Sequence, residues 1–409
     1  MTERYCMTEK KQTIVVIGTG YVGLPAALLL ARAGHTVIGV DINENIVRAI
    51  NDGVLHIKED ELQKIMDEPQ VRANLRAQTT HAHADAFLIA VPTPVDHRKK
   101  VAEMKYVREA TESIVPYLKA GNVVILESTV PPLTCKEFMT PILEKSGLKV
   151  GKDLYLAHCP ERILPGDVFY EIVHNDRIIG AADQKSRDLA SAVYATFVKG
   201  NLYQTDDVTA ELCKLMENTY RDVNIALANE FAAVAEGLGI DPFKAIELSN
   251  KHPRVKILRP GIGVGGHCIP LDPWFIKEVD PANSRLIFTS RLINDEMPHK
   301  VAEKIRKAAR EIDNPKLVLI GAAYKANTED PRESPAIEIV KILREDGYEI
   351  DHFDPLVDGY HWKSTLAEAC KGADMLAVLI QHNAVMDELN ATRAQIEKGM
   401  RTPRVLVFG

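Results

Sequence analysis

From Thr13 onward the sequence alternates short runs rich in Val and Ile with segments of helical periodicity. "TIVVIG" is followed by a helix from Tyr21 to Ala33 closed by Gly34, then "HTVIGVD", a helix around Asn45 to Ile50, "AFLIAV", "NVVILES", "DLYLAHC" and "RIIGA". Strands that are apolar along their whole length need cover on both faces, and intervening helices supply it, so the pattern predicts a parallel sheet. Near Asp206 the alternation stops. Val208 to Leu238 reads as one helix ending at Gly237 or Gly239, apolar over most of its circumference and so predicted to be buried, partly against another subunit. Glu211, Lys214, Asn218 and Arg221 recur on it at helical spacing as a polar stripe expected to line a cavity.

After a second helical stretch, Ser284 to Arg310, the alternation restarts at "KLVLIGAAY" and runs through "SPAIEIVKILRED", "YEIDHFD", "DMLAVLI" and "RVLVFG". The expected fold class is therefore α/β, with two doubly wound Rossmann-like domains joined by a long helical central segment. The boundaries fall at 12–205, 206–312 and 313–409.

Composition narrows the function. With 409 residues, 46% hydrophobic and 26% charged, the chain can build a core in each domain. Its six cysteines include no CxxC pair and no Cys/His cluster, which indicates neither a disulfide framework nor a metal site and fits a reducing cytoplasm. No run approaches the roughly 18 to 20 apolar residues of a membrane span, so no membrane insertion is expected. A net charge of −7 argues against a nucleic-acid surface.

"GTGYVG" places Gly18, Gly20 and Gly23 in GxGxxG spacing, with Tyr21 and Val22 between the last two, directly after a strand and opening a helix. The first glycine makes the tight turn, the second clears room for a pyrophosphate at the helix N-terminus, and the third lets helix and strand pack closely. Asp41 ends the second strand, where a carboxylate accepts from ribose hydroxyls and repels a ribose phosphate. The cofactor expected is NAD rather than NADP.

"RPGIGVGGHCIPLDPWF" holds one thiol, Cys268, after four glycines and four residues before a carboxylate, Asp272. Such a loop lets a ligand approach closely, and the thiol reads either as a covalent nucleophile or as a small buried hydrophobe beside the turn.

Together "VIGTGYVGLP", "ESTVPP", "AHCPERILPG", "ELCKLMENTYRDVNIALANE", "GVGGHCIPLDPWF" and "YKANTEDPRESPA" resemble, in order and over nearly the whole chain, the UDP-glucose/GDP-mannose 6-dehydrogenase family. Within it, "NKHPRVKIL" and "ERILPG" most resemble the branch acting on UDP-N-acetyl-D-mannosamine. The resemblance implies an NAD-dependent UDP-sugar 6-dehydrogenase that takes an alcohol to a carboxylate through a thiohemiacetal and a thioester on Cys268. It implies catalytic roles for Lys214 and Asn218 (oxyanion and water positioning), Asp272 (water activation or the first proton) and Glu161 (acid/base), leaving open which of Lys214, Asp272 and Glu161 moves each proton. It places Thr93 and Thr129 near the nicotinamide half and Arg332 near the cofactor pyrophosphate. Substrate contacts are implied for Arg162, Leu164, Arg221, Asn224, Arg254, Gly265 and Lys325. The apolar circumference of Val208 to Leu238 predicts a homodimer or higher oligomer, since one modest domain does not supply enough cover. UDP-N-acetylglucosamine and UDP-glucose are the alternative substrates. A non-catalytic NAD-binding protein of the same fold is a further alternative, against which the joint presence of Cys268, Lys214, Asn218 and Asp272 argues.

Overall fold

The computed structural model describes residues 11–57, 59–96, 98–162, 168–362 and 365–408. The chain forms two compact units, Met1–Met216 with Trp274–Val279, and Glu217–Pro273 with Asp280–Gly409. Each contains a doubly wound sheet, as the alternation predicts.

In the first unit eight strands lie in the order Leu202–Thr205, Arg177–Gly180, Tyr155–His158, Val123–Leu126, Ala86–Ile89, Thr13–Ile17, Thr36–Val40, Leu75–Gln78. All neighbours are parallel except Tyr155–His158 and Arg177–Gly180, which are antiparallel and meet at His158 and Gly180. Side chains alternate across a strand, so Ile14, Val16, Leu88 and Ile125 join one core with the helix Gly23–Arg32, while Val15, Ile17, Phe87, Ile89 and Val124 join another with Lys105–Ile114. Burying each such side chain is worth about 1.5–3 kcal/mol. Strand order reverses at Thr13–Ile17, which opens a crevice beyond its C-terminal end. The first helix begins at Gly23 rather than Tyr21, because Tyr21 and Val22 complete the turn that precedes it.

In the second unit the helix Arg285–Ala309 precedes a four-stranded parallel sheet ordered Glu349–Phe353, Lys316–Ile320, Met375–Val378, Arg404–Val407. Here the order reverses at Lys316–Ile320. Arg291, almost wholly buried, pairs with the buried carboxylate of Asp222, which also accepts from Asn294 at 2.9 Å. Removing either charge would leave the other uncompensated in the interior.

The long helix spans Asp207–Gly237 as expected, but one expectation about its faces changes. Met216, Tyr220, Leu227, Phe231 and Val234 are 43–73% exposed, so the chain itself does not cover its apolar circumference. Glu211, predicted to line a cavity, is instead buried in the first unit, accepting from the backbone N–H of Leu133 at 2.7 Å and of Cys135 at 2.8 Å. Burial pushes its carboxyl up to about 7 against those two bonds. Glu211 is a staple for the turn Thr134–Met139, whose first N–H groups lack helical partners.

Full burial holds the His158 imidazole neutral, with its pKa pushed down to about 3. The unfolded chain binds a proton near pH 6.5 and the folded chain does not, so stability from this site is complete above that pH and drains away as pH falls toward 3. Between pH 7 and 5 the protein should lose roughly 2 kcal/mol more unfolding free energy than the His158→Leu variant. Urea titrations at both pH values would check this, and equal losses would contradict it.

Candidate active site

The three glycines of the first unit separate by role. Gly18 has φ +85°, a backbone conformation that favours glycine, and a Cβ there would fall 2.6 Å from the Ala90 carbonyl oxygen. A Cβ on Gly23 would fall 2.0 Å from the Gly18 oxygen, so helix and strand meet there backbone to backbone. On Gly20 it would meet nothing within 4 Å. Open space over the middle glycine, at the N-terminal end of Gly23–Arg32, is what a pyrophosphate needs.

Asp41 closes the loop's rim. Its Oδ2 accepts from the Thr19 N–H and hydroxyl, both at 2.9 Å, and its Oδ1 from Asn43 N–H at 3.0 Å. The Tyr21 hydroxyl donates to Glu59 at 2.8 Å, and Val22 is the N-cap residue of the helix. Beyond the next strands, the Thr93 hydroxyl donates to the Thr129 carbonyl at 2.6 Å, lacing together the loops that follow Ala86–Ile89 and Val123–Leu126. These residues fit NAD: an open middle glycine, a helix N-terminus and a carboxylate beside them.

Glu161 is placed less openly than its implied role suggests. Its carboxylate pairs with Arg177 at 2.7 Å and accepts from Arg162 N–H at 2.7 Å, with both side chains of the ion pair nearly buried. Arg177 lies over the Tyr194 ring, and the Tyr194 hydroxyl donates at 2.6 Å to Glu127, whose pKa burial raises to about 7. Arg162 donates to the Asp176 carbonyl at 3.1 Å. Leu164 lies outside the described residues. Arg177 has no sequence signature, since a lone Arg opening a strand carries no periodic signal.

The second unit builds the thiol site. Its loop is anchored at the start by Asn229, whose side-chain oxygen accepts from Gly261 N–H at 2.9 Å and whose amide donates to Asn294. At Gly265 a Cβ would fall 2.5 Å from the Glu333 carbonyl oxygen, and at Gly266 (φ +89°) 3.0 Å from the Tyr324 ring. The Gly266 N–H donates to the Arg332 carbonyl at 3.2 Å. Gly265 is thus a packing residue that lets the loop lie directly on the 321–335 segment.

Cys268 emerges exposed from that surface, its carbonyl accepting from the N–H groups of Leu271 and Asp272 as the next helix, Asp272–Val279, begins. The buried Asp272 carboxylate accepts from the Asn218 side-chain amide at 2.5 Å. Lys214, one turn earlier on the same helix face, is half-buried; Arg221 is exposed, and the Asn224 amide donates to the Tyr220 carbonyl at 2.7 Å.

Arg332 stands within electrostatic reach of Cys268, and its pKa is raised by its hydrogen bonds to Asp330 before the smaller effect of the thiol. The pair is forked, with Nε at 2.8 Å from Asp330 Oδ1 and Nη2 at 2.6 Å from Oδ2. That fork fixes where the guanidinium stands. Lys325 is exposed on the same segment, over the Tyr324 ring, and Arg254 is exposed on its own turn. Among the described residues no group of His, Cys, Asp and Glu is arranged to hold a metal ion.

Residues 12–198, 208–296 and 318–407 match, in order, the NAD-binding, central and UDP-binding domains of the UDP-glucose/GDP-mannose dehydrogenase family. The chain is 49% identical over 374 residues to a UDP-N-acetyl-D-mannosamine dehydrogenase of Methanocaldococcus jannaschii, covering 90% of this chain and 86% of that one. It is 45% identical over 340 residues to an NDP-N-acetyl-D-galactosaminuronic acid dehydrogenase of Ralstonia nicotianae, covering 81% and 80%. Among solved structures, the UDP-D-ManNAc dehydrogenase of Pyrococcus horikoshii superposes with a TM-score of 0.91 at 39% identity, covering 97% of this chain and 95% of that one.

The glycine geometry separates two variants. Gly20→Ala should keep the parent's melting temperature yet weaken NAD binding, because its methyl points into open space on the pyrophosphate side. Gly23→Ala should destabilise the fold by about 1–3 kcal/mol or more, because backbone must move. Calorimetry and NAD titration of both would check this, and equal effects on stability would contradict it. Asp41→Ala should narrow the preference for NAD over NADP, measured as a ratio of dissociation constants.

Proposed function

Because the chain belongs to the UDP-glucose/GDP-mannose dehydrogenase family, we propose that this NAD-dependent oxidoreductase converts the 6-hydroxyl of UDP-N-acetyl-D-mannosamine to a carboxylate through a covalent adduct on Cys268. The observation that carries the chemistry is the exposed thiol on a glycine loop, with Arg332 in electrostatic reach and Asp272 fixed by Asn218. The substrate rests on the similarity to UDP-N-acetyl-D-mannosamine dehydrogenases.

When bound, NAD supplies the hydride acceptor for each of the two oxidations. Cys268 Sγ adds to the aldehyde carbon to give a thiohemiacetal, which after the second oxidation is a thioester. Water then cleaves the thioester, releasing the carboxylate and restoring the thiol. Lys214 and Asn218, one helical turn apart, serve the oxyanion formed at each addition. Asp272, buried and held by an amide donor, is the carboxylate that orients the attacking water. Glu161 assists that hydrolysis as acid/base, from the pairing with Arg177 that holds it in place. Arg162, Leu164, Arg221, Asn224, Arg254, Gly265 and Lys325 make up the proposed substrate contacts.

The division of labour follows the sequence boundaries, with 12–205 for NAD, 206–312 for the thiol loop and dimerisation, and 313–409 for the UDP-sugar. Met216, Tyr220, Leu227, Phe231 and Val234 form one exposed stripe at helical spacing on Asp207–Gly237, and a two-fold partner would bury it. A cytoplasmic location fits the scattered cysteines of the sequence, which include no CxxC pair.

Cys268→Ser should abolish multi-turnover acid production while leaving NAD affinity and fold intact, and sustained turnover in that variant would sink the mechanism. Steady-state NADH formation should rank UDP-N-acetylmannosamine above UDP-N-acetylglucosamine and both above UDP-glucose. A site built around an acetamido group leaves polar partners unpaired when that group is missing. Faster turnover of UDP-glucose than of either N-acetylated sugar would return the substrate to the family's parent reaction. Light scattering at micromolar concentration should give a dimer or larger, and a monomer would reject the helical interface.

A further inference from the structure

In the second sheet, Asp354 ends the strand Glu349–Phe353 as Asp41 ends Thr36–Val40 in the first, and "GAAY" follows Lys316–Ile320 as "GTGY" follows Thr13–Ile17. The carboxylates differ in what they hold. Asp354 is wholly buried, and its Oδ2 accepts from the N–H groups of Ala322 at 2.7 Å and Ala323 at 3.0 Å and from His382 Nε2 at 3.0 Å. Its Oδ1 accepts from Leu356 and Val357. The loop amides that could face a ligand are tied down from within.

The buried His382 ring reads as one tautomer. Its Nδ1 accepts from Asn327 N–H at 3.0 Å, so Nε2 carries the proton donated to Asp354. Asn327 sits at φ +59°, and its side-chain oxygen accepts from Asn383 N–H at 2.9 Å. The segment 322–334 is thereby fixed at 322, 323 and 327 by Asp354 and His382, and at its end by the Ser334 hydroxyl donating to the Ala323 carbonyl. This segment carries Lys325 and the Asp330–Arg332 fork, and the glycines of the Cys268 loop lie on it.

We propose that His382 and Asp354 are positioning residues for the thiol site: by holding the turn at Ala322–Asn327 they set where Lys325 and Arg332 stand relative to Cys268. Neither touches the reacting atoms. The inference rests on the function proposed above for Cys268, Arg332 and Lys325, and goes beyond it by assigning their placement to a buried Asp–His pair.

Two substitutions separate positioning from simple filling of the core. Asparagine places an oxygen where Nδ1 lies and keeps the acceptor for Asn327, whereas glutamine places its amide near Nε2 and keeps only the partner of Asp354. Positioning predicts that His382→Asn retains most of the parent's kcat while His382→Gln falls about tenfold or more. Core filling predicts the reverse order. Independently of turnover, alkylation of Cys268 by iodoacetamide should slow by roughly threefold or more in His382→Gln, because Arg332 loses its fixed place. Amides 322–327 should exchange faster in deuterium. If His382→Gln does not fold, Asn327→Gly, which suits the positive φ and deletes only the link to Asn383, should show smaller changes in the same direction. Parental alkylation and exchange rates in a folded His382→Gln, or the reverse order of the two variants, would overturn the proposal. A parent protein that oxidises no UDP-sugar, with the alkylation and exchange results as stated, would overturn the functional reading instead.

Discussion

The thiol site depends on the absence of side chains at Gly265 and Gly266. The loop lies so close to the 321–335 segment that a Cβ on Gly265 would sit 2.5 Å from a backbone oxygen, a contact that real Cβ atoms do not make. This closeness brings the Gly266 N–H to the Arg332 carbonyl and puts Cys268 in the field of the Arg332 guanidinium. Bulk at either glycine would lift the loop off its support. The nucleophile's environment is set by backbone contact first and by charge second.

The two sheets turn the same topology to different ends. Both reverse order at their first strand and both end the second strand in an aspartate. In the first sheet Asp41 leaves the space over Gly20 open, which suits a diphosphate at a helix N-terminus. In the second, Asp354 takes both the Ala322 and the Ala323 N–H, and the segment offers exposed cations, Lys325 and Arg332, instead. An anion met by the first sheet would be held by backbone, and one met by the second by side chains.

Much of the fold was legible because it rests on periodicity: apolar runs for strands, a long helical stretch, and glycines at three spaced positions with distinct packing. The sites were legible where a motif fixes the backbone, as at Gly18, Gly20, Gly23 and Asp41. Glu211 was misread because helical spacing shows which residues share a face but not what that face meets; two backbone N–H groups of a neighbouring turn claimed it. Arg177, Asp330 and His382 were missed because each acts through a partner distant in sequence or by holding another side chain. Asp354 had a usable signal, an acid closing the second strand of a restarted α/β pattern.

The central claim is that oxidation proceeds through a bond to Cys268. Rapid quenching in acid during turnover of UDP-N-acetylmannosamine with NAD, followed by digestion and mass spectrometry, tests it most directly. The account predicts an acyl nucleotide-sugar adduct on the peptide containing Cys268 that appears and decays with NADH formation. Steady NADH formation with that peptide unmodified, or with the adduct on another residue, would contradict it.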